Sequence, residues 1–337
     1  MTVATATIGG IEVARLGLGC MVLTRAYTRP DQAEAEATMR LALDLGITLL
    51  DTADAYDAGE NEIFVGRVLD DRRDDVVLSS KFGLGGGLDV PPGINGRPEY
   101  LKACCERSLQ RLGTDRLDIY YQHRVDPDVP LTETVGAMAE LVAEGKVRHL
   151  GLCEVSAAEL ESAHTVHPIT VVQSEWSLWA RQIEGDALPA ARRLGVGLVP
   201  YSPLGRGFLA GAVRAEGDLD SDDLRRADPR LKGTNLRRNL ELVAALEAFA
   251  TERDATPAQI ALAWLLVQGD DVVPIPGCER RDLLRQNAGA LSVQLTAADI
   301  EQLGGLFPLG VASGNPDETL RRTVRPHSPT AAPKEQP

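Results

Sequence analysis

Leu50-Asp51-Thr52-Ala53-Asp54-Ala55-Tyr56 is the stretch that decides how this chain is read. The apolar run Gly46-Ile47-Thr48-Leu49-Leu50 delivers a carboxylate, Asp51, at its end, and a phenol, Tyr56, follows five residues on. A second run, Val76-Val77-Leu78-Ser79-Ser80, delivers the ammonium of Lys81. A third, Leu117 to Gln122, delivers the imidazole of His123. Short apolar runs of this kind read as buried strands. In a parallel barrel the C-terminal strand ends open onto one face, where the catalytic loops gather. The four groups also complement one another chemically. A phenol with a pKa near 10 is a poor acid at neutral pH, and a nearby ammonium lowers that pKa. Bringing it from about 10 to near 7 takes roughly 4 kcal/mol. A carboxylate would hold the ammonium in place, and the imidazole would orient a carbonyl oxygen for protonation.

Outward from this stretch the chain reads as eight strand-plus-helix units. Thr5 to Val13, with Gly9-Gly10 at its turn, predicts a two-strand hairpin. Leu16 to Cys20 is the first barrel strand, and the helix from Asp31 to Leu45 carries Ala37, Leu41 and Leu45 on one face. A short helix from Glu60 to Leu69 is expected to bury Ile63, Phe64 and Val68. The loop Gly83 to Arg97 precedes a helix opening at Pro98, whose missing N–H costs nothing there. Within that helix Cys104 and Cys105 fall on the apolar stripe and read as packing. Helices follow at 132–143, after the capping box Ser156–Glu159, at 185–194, 236–253, 256–268 and 280–290. Strands fall at 146–152, 169–173, 196–201 and 271–275. This alternation predicts an α/β fold of the (β/α)8 TIM-barrel type. It carries a hairpin at its N-terminus, a long irregular loop after strand seven (Ser202 to Thr234) and an extra helix at 296–306. Residues 1–310 form the barrel domain and 311–337 a Pro-rich tail. No GxGxxG follows a strand, which argues against a Rossmann domain.

The net charge of −14 argues against a nucleic acid or an anionic membrane as partner. No run of 18 apolar residues spans a bilayer, and the first residues lack the basic flank and apolar core of a signal peptide. Five cysteines without a CxxC pair read as reduced thiols in a cytoplasmic protein. The five histidines show neither HxH nor HExxH, so no metal site is expected. Ser202 in Tyr201-Ser202-Pro203-Leu204-Gly205 does not match the hydrolase GxSxG.

Asp51-Thr52-Ala53 with Tyr56, Ser80-Lys81-Phe82-Gly83, and Tyr120-Tyr121-Gln122-His123-Arg124-Val125-Asp126-Pro127 together resemble the aldo-keto reductase family. The resemblance runs from about Leu16 to about Leu306. It implies that the hairpin plugs the bottom of the barrel. It assigns Tyr56 as general acid in carbonyl reduction and base in the reverse direction, Lys81 as the cation paired with Asp51, and His123 as the group orienting the carbonyl. It places Cys153, Glu154 and Gln173 on a nicotinamide carboxamide, with Tyr201 stacked on the ring. Ser202, Leu204 and Arg206 fall in the loop that covers the pyrophosphate. Gly277, Cys278, Arg280, Gln286 and Asn287 fall in the segment gripping the adenosine ribose phosphate and the adenine.

Four departures bear on these assignments. Cys153 stands where Ser is common, Cys278 where Ser, Thr or Ala is usual, Glu279 where Lys is often found, and Asp57 where Gly usually follows the tyrosine. Arg280 still offers a planar fork suited to a 2′-phosphate, so the cofactor expected is NADP(H) ahead of NAD(H). Met21, Val22, Tyr27, Phe82, Trp176 and Trp179 would line a partly aromatic substrate pocket. The activity implied is NADPH-dependent reduction of a small-molecule aldehyde or ketone to an alcohol. A nucleotide-sensing subunit resembling the potassium-channel β-subunits is the alternative. The sequence leaves the substrate and the oligomeric state open.

Overall fold

The computed structural model describes residues 4–85 and 93–314. The first three residues, the middle of the Gly83–Arg97 loop and nearly all of the tail expected at 311–337 lie outside the described residues. Strands β1 (Thr5–Ile8) and β2 (Ile11–Ala14) pair as an antiparallel hairpin. Gly9 and Gly10 turn it with φ of 55° and 89°, a region that only glycine enters freely. Strands β3 (Leu18–Gly19), β4 (Leu49–Asp51) and β5 (Val77–Phe82) follow. After a small antiparallel pair, β6 (Leu84–Gly85) and β7 (Gly93–Ile94), come β8 (Leu117–Gln122), β9 (Val147–Cys153), β10 (Ile169–Glu175) and β11 (Gly197–Tyr201). The seven long-range strands form one parallel sheet in the order β11-β10-β9-β8-β5-β4-β3.

The eighth run, expected as a strand over 271–275, is extended but not a regular strand. Its hydrogen bonds nevertheless close the barrel. Val273 and Ile275 donate to Leu198 and Pro200 at 2.9 and 3.0 Å on the β11 side. On the β3 side the run only accepts, from Gly17 to Pro274 O at 3.0 Å and from Gly19 to Pro276 O at 3.3 Å. Pro274 and Pro276 sit where the N–H groups facing β3 would be, and proline has none to give. The ladder is therefore one-sided.

Helices pack outside: α1 (Gln32–Asp44), α2 (Glu60–Leu69), α3 (Pro98–Leu112), α4 (Leu131–Ala143), α5 (Ala157–Val166), α6 (Ala187–Leu194), α7 (Gly233–Thr251), α8 (Pro257–Leu266), α9 (Arg281–Ala288) and α10 (Ala297–Leu306). Asp31 caps α1 by accepting from Ala33 and Glu34 at 2.9 and 3.0 Å, and Ser156 and Glu159 form the capping box of α5. Cys104 and Cys105 are buried between α3 and the sheet. Ile63 is a correction: it is 45% exposed. Phe64, Val65, Val68 and Leu69 make the buried stripe of α2, and Ile63 falls off it by one helical step.

Two apolar layers result. One lies between sheet and helices. The other fills the barrel, where Ala6, Ile8 and Val13 of the hairpin meet Leu49, Ile119, Tyr121, Val171, Val199 and Ile275. A Cβ on Gly197 would come within 2.5 Å of Ile8 Cβ, so the hairpin seats directly on the strand. The bottom is plugged, and ligands have only the C-terminal face to use.

Candidate active site

Asp51 ends β4, Lys81 lies near the end of β5, and His123 follows β8 directly. Parallel strands carry all three to one face, and Tyr56 arrives on the β4–α2 connection. Behind Tyr56 the chain turns through three residues of positive φ, Asp57 (47°), Ala58 (56°) and Gly59 (93°). The first two are non-glycine and carry strain. The Asp57 carboxylate accepts from Arg25 N at 3.2 Å, tying the turn to the β3–α1 loop.

The four side chains converge. The Lys81 ammonium is ion-paired with Asp51 Oδ1. It also donates to Thr52 O at 2.8 Å and to Tyr56 Oη at 3.2 Å. Asp51 Oδ2 accepts from Ser79 Oγ at 2.8 Å and Gln173 Nε2 at 2.9 Å, so the carboxylate is fully engaged. The Tyr56 and His123 rings meet edge to face at 5.9 Å between centroids.

Burial sets the protonation states. Burial pushes the Tyr56 phenol above its ordinary value; Lys81 pulls it back, and Asp51 opposes Lys81. This corrects the expectation of a phenol brought near neutrality: the ammonium does not act alone, because its own counter-ion and the lost solvation work against it. Burial works against the charge of Lys81, yet Asp51, Tyr56 and Cys153 together hold its pKa above the usual lysine range. Burial, aided by Lys81 and Arg124, holds His123 well below the ordinary histidine value, so its ring is neutral. Its Nδ1 is buried and has no hydrogen-bond partner among the described residues.

A cavity of about 430 Å³ opens beside Asp51 and Tyr56. Met21, Val22 and Tyr27 line it from the β3–α1 loop, and Tyr201, Ser202, Leu204 and Arg206 from the end of β11. Gly277, Cys278, Arg280, Gln286 and Asn287 line its far end. Lys81, His123, Cys153, Glu154 and Gln173 do not line it. Lys81 and Gln173 lie beneath it and hold Asp51. Cys153 packs inside the barrel, where burial pushes its thiol up to about 12. Glu154 has φ of 53° and accepts from Glu175 N at 2.7 Å.

Three residues expected in the substrate pocket do not line this cavity. Phe82 is fully buried against Tyr120 at 5.1 Å. Trp176 is buried edge-on to Trp264, with its indole N–H donating to Glu184 at 2.9 Å. Trp179 stacks on Phe208 at 4.7 Å beneath the loop after β11. Large aromatics gain most from full burial, and all three take it. Arg280 lines the cavity but is ion-paired with Asp282 two residues on, and it is 57% exposed.

The sequence reading missed several groups. Thr28 and Arg225 line the cavity, and Arg225 caps the Tyr27 ring at 4.6 Å while donating to Arg206 O at 3.2 Å. No motif marks either residue. Asn61 is buried and links Thr52, Cys20 O and Thr24 at 2.6 to 2.9 Å, holding the β4 end against the β3 end. Asp54 is half-buried near Glu62, with its Oδ1 shielded from solvent and without a partner among the described residues. Burial, with Glu62 adding, raises its pKa to about 7.

The aldo/keto reductase family model matches residues 15–306. The chain belongs to the aldo/keto reductase family. It is 45% identical over 307 residues to "Probable aldo-keto reductase 1" of Glycine max, covering 90% of this chain and 88% of that relative. The glycerol dehydrogenase AKR11B4 of Gluconobacter oxydans superposes with a TM-score of 0.80 at 28% identity, over 98% of this chain and 99% of that one. An aldo/keto reductase from Klebsiella pneumoniae, solved in complex with NADP and acetate, superposes with a TM-score of 0.71 at 30% identity, over 91% and 96% of the two chains. As an aldo-keto reductase the chain is an oxidoreductase, and its barrel is the family's. Among the described residues no helix is long and apolar enough to cross a membrane, and no three His, Cys, Asp or Glu side chains gather as metal ligands.

Proposed function

We propose that this aldo-keto reductase reduces an aldehyde or ketone to an alcohol with NADPH, Tyr56 supplying the proton. The observation that carries the reading is the contact of Lys81 Nζ with Tyr56 Oη at 3.2 Å, beside a cavity long enough to run from Tyr56 to Arg280. The cavity's chemistry fits a dinucleotide. Tyr201 offers an aromatic face and a buried hydroxyl with no hydrogen-bond partner among the described residues. Arg206 forms no ion pair with a described carboxylate, leaving its guanidinium available for a phosphate. Ser202 and Leu204 would hold the pyrophosphate with it, and Gly277, Arg280, Gln286 and Asn287 the adenosine end. The Klebsiella pneumoniae relative, described in complex with NADP, supports this choice. When bound, the nicotinamide supplies a hydride.

The chain's own residues handle the proton. Burial keeps Tyr56 protonated at neutral pH, the state an acid needs before reduction. As the carbonyl oxygen gains charge, the phenol gives up its proton and becomes a phenolate facing Lys81. That ammonium, fixed by Asp51 and Thr52 O, stabilises the new anion. The neutral His123 ring orients the carbonyl without competing for the proton. In alcohol oxidation the same phenolate takes the proton back. Tyr56→Phe keeps the ring and removes the proton, so turnover should fall roughly 100-fold or more, with NADPH affinity nearly retained by fluorescence titration. Wild-type turnover of an aldehyde panel in that variant would remove Tyr56 from the role.

A further inference from the structure

Two walls of the cavity are joined by a residue that the reaction above leaves unused. Tyr27 lines the cavity from the β3–α1 loop, and between Thr24 and Pro30 that loop forms neither helix nor strand. The Tyr27 hydroxyl makes no hydrogen bond to a described residue, so contacts on the ring have to fix the side chain. Arg225 makes such a contact: its guanidinium carbon lies 4.6 Å from the ring centroid. A cation so placed is attracted to the ring, more strongly when both are withdrawn from water. Arg225 also lines the cavity, and its Nη1 donates to Arg206 O at 3.2 Å. Arg206 has φ of 58°, a conformation that a non-glycine residue keeps only where its surroundings hold it.

Arg225 is itself fixed. Its Nε donates to both carboxylate oxygens of Asp223 at 3.1 Å, and its Nη2 donates to Oδ2 at 2.7 Å. The Asp223 side chain is fully buried, and its Oδ1 also accepts from Arg225 N at 2.8 Å. With its charge matched by this carboxylate, Arg225 is a poor anchor for an anion. What it offers the cavity is the flat face on Tyr27 and the bond to Arg206 O. A second link between the same two loops, Arg25 with Asp222 at 2.8 Å, is exposed at both ends and holds little.

Resting on the reductase reading above, we propose that Arg225 is a positioning residue that sets substrate affinity. It holds the Tyr27 ring in place as a wall of the cavity and ties that wall to Arg206 on the cofactor side. None of these contacts involves Tyr56, Lys81 or His123, so the proton transfer is left alone while the affinity for the carbonyl compound depends on the ring. Substrate and cofactor affinity therefore rest on one side chain.

The test follows benzaldehyde reduction and NADPH fluorescence titration in four variants. These are Arg225→Lys, the pair Asp223→Asn with Arg225→Met (which strands no buried carboxylate), Tyr27→Leu, and the pair combined with Tyr27→Leu. The pair should raise KM for benzaldehyde by about 5- to 20-fold, the range of a lost contact of this kind, with kcat changed less than about 3-fold. It should weaken NADPH by about 3- to 10-fold through Arg206. Arg225→Lys keeps a cation over the ring without the fork and should restore part of KM. In the Tyr27→Leu background the pair should add nothing to KM yet still weaken NADPH. Full additivity in KM would overturn the proposal, as would a kcat loss as large as that in kcat/KM. So would Asp222→Asn raising KM as much as the pair, because the junction of the loops at large would then be responsible. Hydrogen exchange of the β3–α1 loop, read without turnover, separates this from failure of the reductase reading. If no aldehyde is reduced but exchange over residues 24–30 quickens in the pair and not in Asp222→Asn, the positioning stands and the reductase reading falls. Unchanged exchange in the pair would overturn the positioning.

Discussion

Lys81→Met removes the charge on which the proposed proton transfer leans, and the geometry sets the size of the effect. The ammonium lies 3.2 Å from the phenol oxygen. At an effective dielectric constant of about 20 that separation corresponds to at most roughly 5 kcal/mol between a full ammonium and a phenolate. Asp51, on the far side of the ammonium, takes back part of this. A net loss of about 3 kcal/mol is a reasonable reading, or roughly a hundredfold in rate. The sign follows from Lys81 lowering the Tyr56 pKa against burial. Without the cation the phenol becomes a weaker acid, so reduction slows. The reverse oxidation needs the phenolate and should move to higher pH. The variant also strands Asp51 as a buried anion, which costs about 3–5 kcal/mol of stability. Asp51→Asn combined with Lys81→Met removes both charges, so its Tm should recover while its activity does not. The assays are kcat for reduction, the pH profile of oxidation, and thermal unfolding of both variants. A folded Lys81→Met protein with near-wild-type kcat and an unshifted oxidation profile would refute the reasoning.

His123 is held neutral, so log(kcat/KM) for reduction should show no inflection near pH 6.5. A break there that disappears in His123→Gln would show a charged imidazole at work. Arg280 is paired with Asp282. Asp282→Asn should therefore free the guanidinium and tighten NADPH relative to NADH by about 1 kcal/mol, measured by fluorescence titration of both cofactors. Equal changes for the two would mean that Arg280 does not read the phosphate. Asp54 has a folded pKa raised from 3.8 to about 7. Its stabilising contribution is thus complete below the unfolded value and is lost as pH rises through the folded one. Asp54→Asn should then gain in Tm over wild type as pH goes from 4 to 7, and a Tm difference that stays flat across that range would contradict the buried carboxyl.

Much of the fold was legible because its signals are local. Apolar runs of four to seven residues, caps such as Ser156–Glu159, and turn glycines such as Gly9-Gly10 act within a few residues of themselves. Alternation of strand and helix then leaves few topologies. Asp51, Lys81 and His123 could be placed together because a parallel barrel sends every strand end to one face. The resemblance supplied what spacing does not, the role expected of Tyr56 and of the residues along the cavity.

What only the tertiary structure decided is how groups distant in sequence share space and charge. The eighth strand looked regular by composition, yet the two prolines face β3 and leave a one-sided ladder. Ile63 had the right residue type on the wrong side of α2, and Phe82, Trp176 and Trp179 had the right type for a pocket but were taken by the core. The pKa of Tyr56 depends on the balance of burial, Lys81 and Asp51, and no one of these can be weighed from the chain alone. Arg280 and Arg124 look alike in the sequence. One is ion-paired with a carboxylate two residues on, and the other donates to the His123 carbonyl and forms no ion pair with a described carboxylate. Periodicity reports which way a residue faces, while partners are chosen only after the barrel has closed.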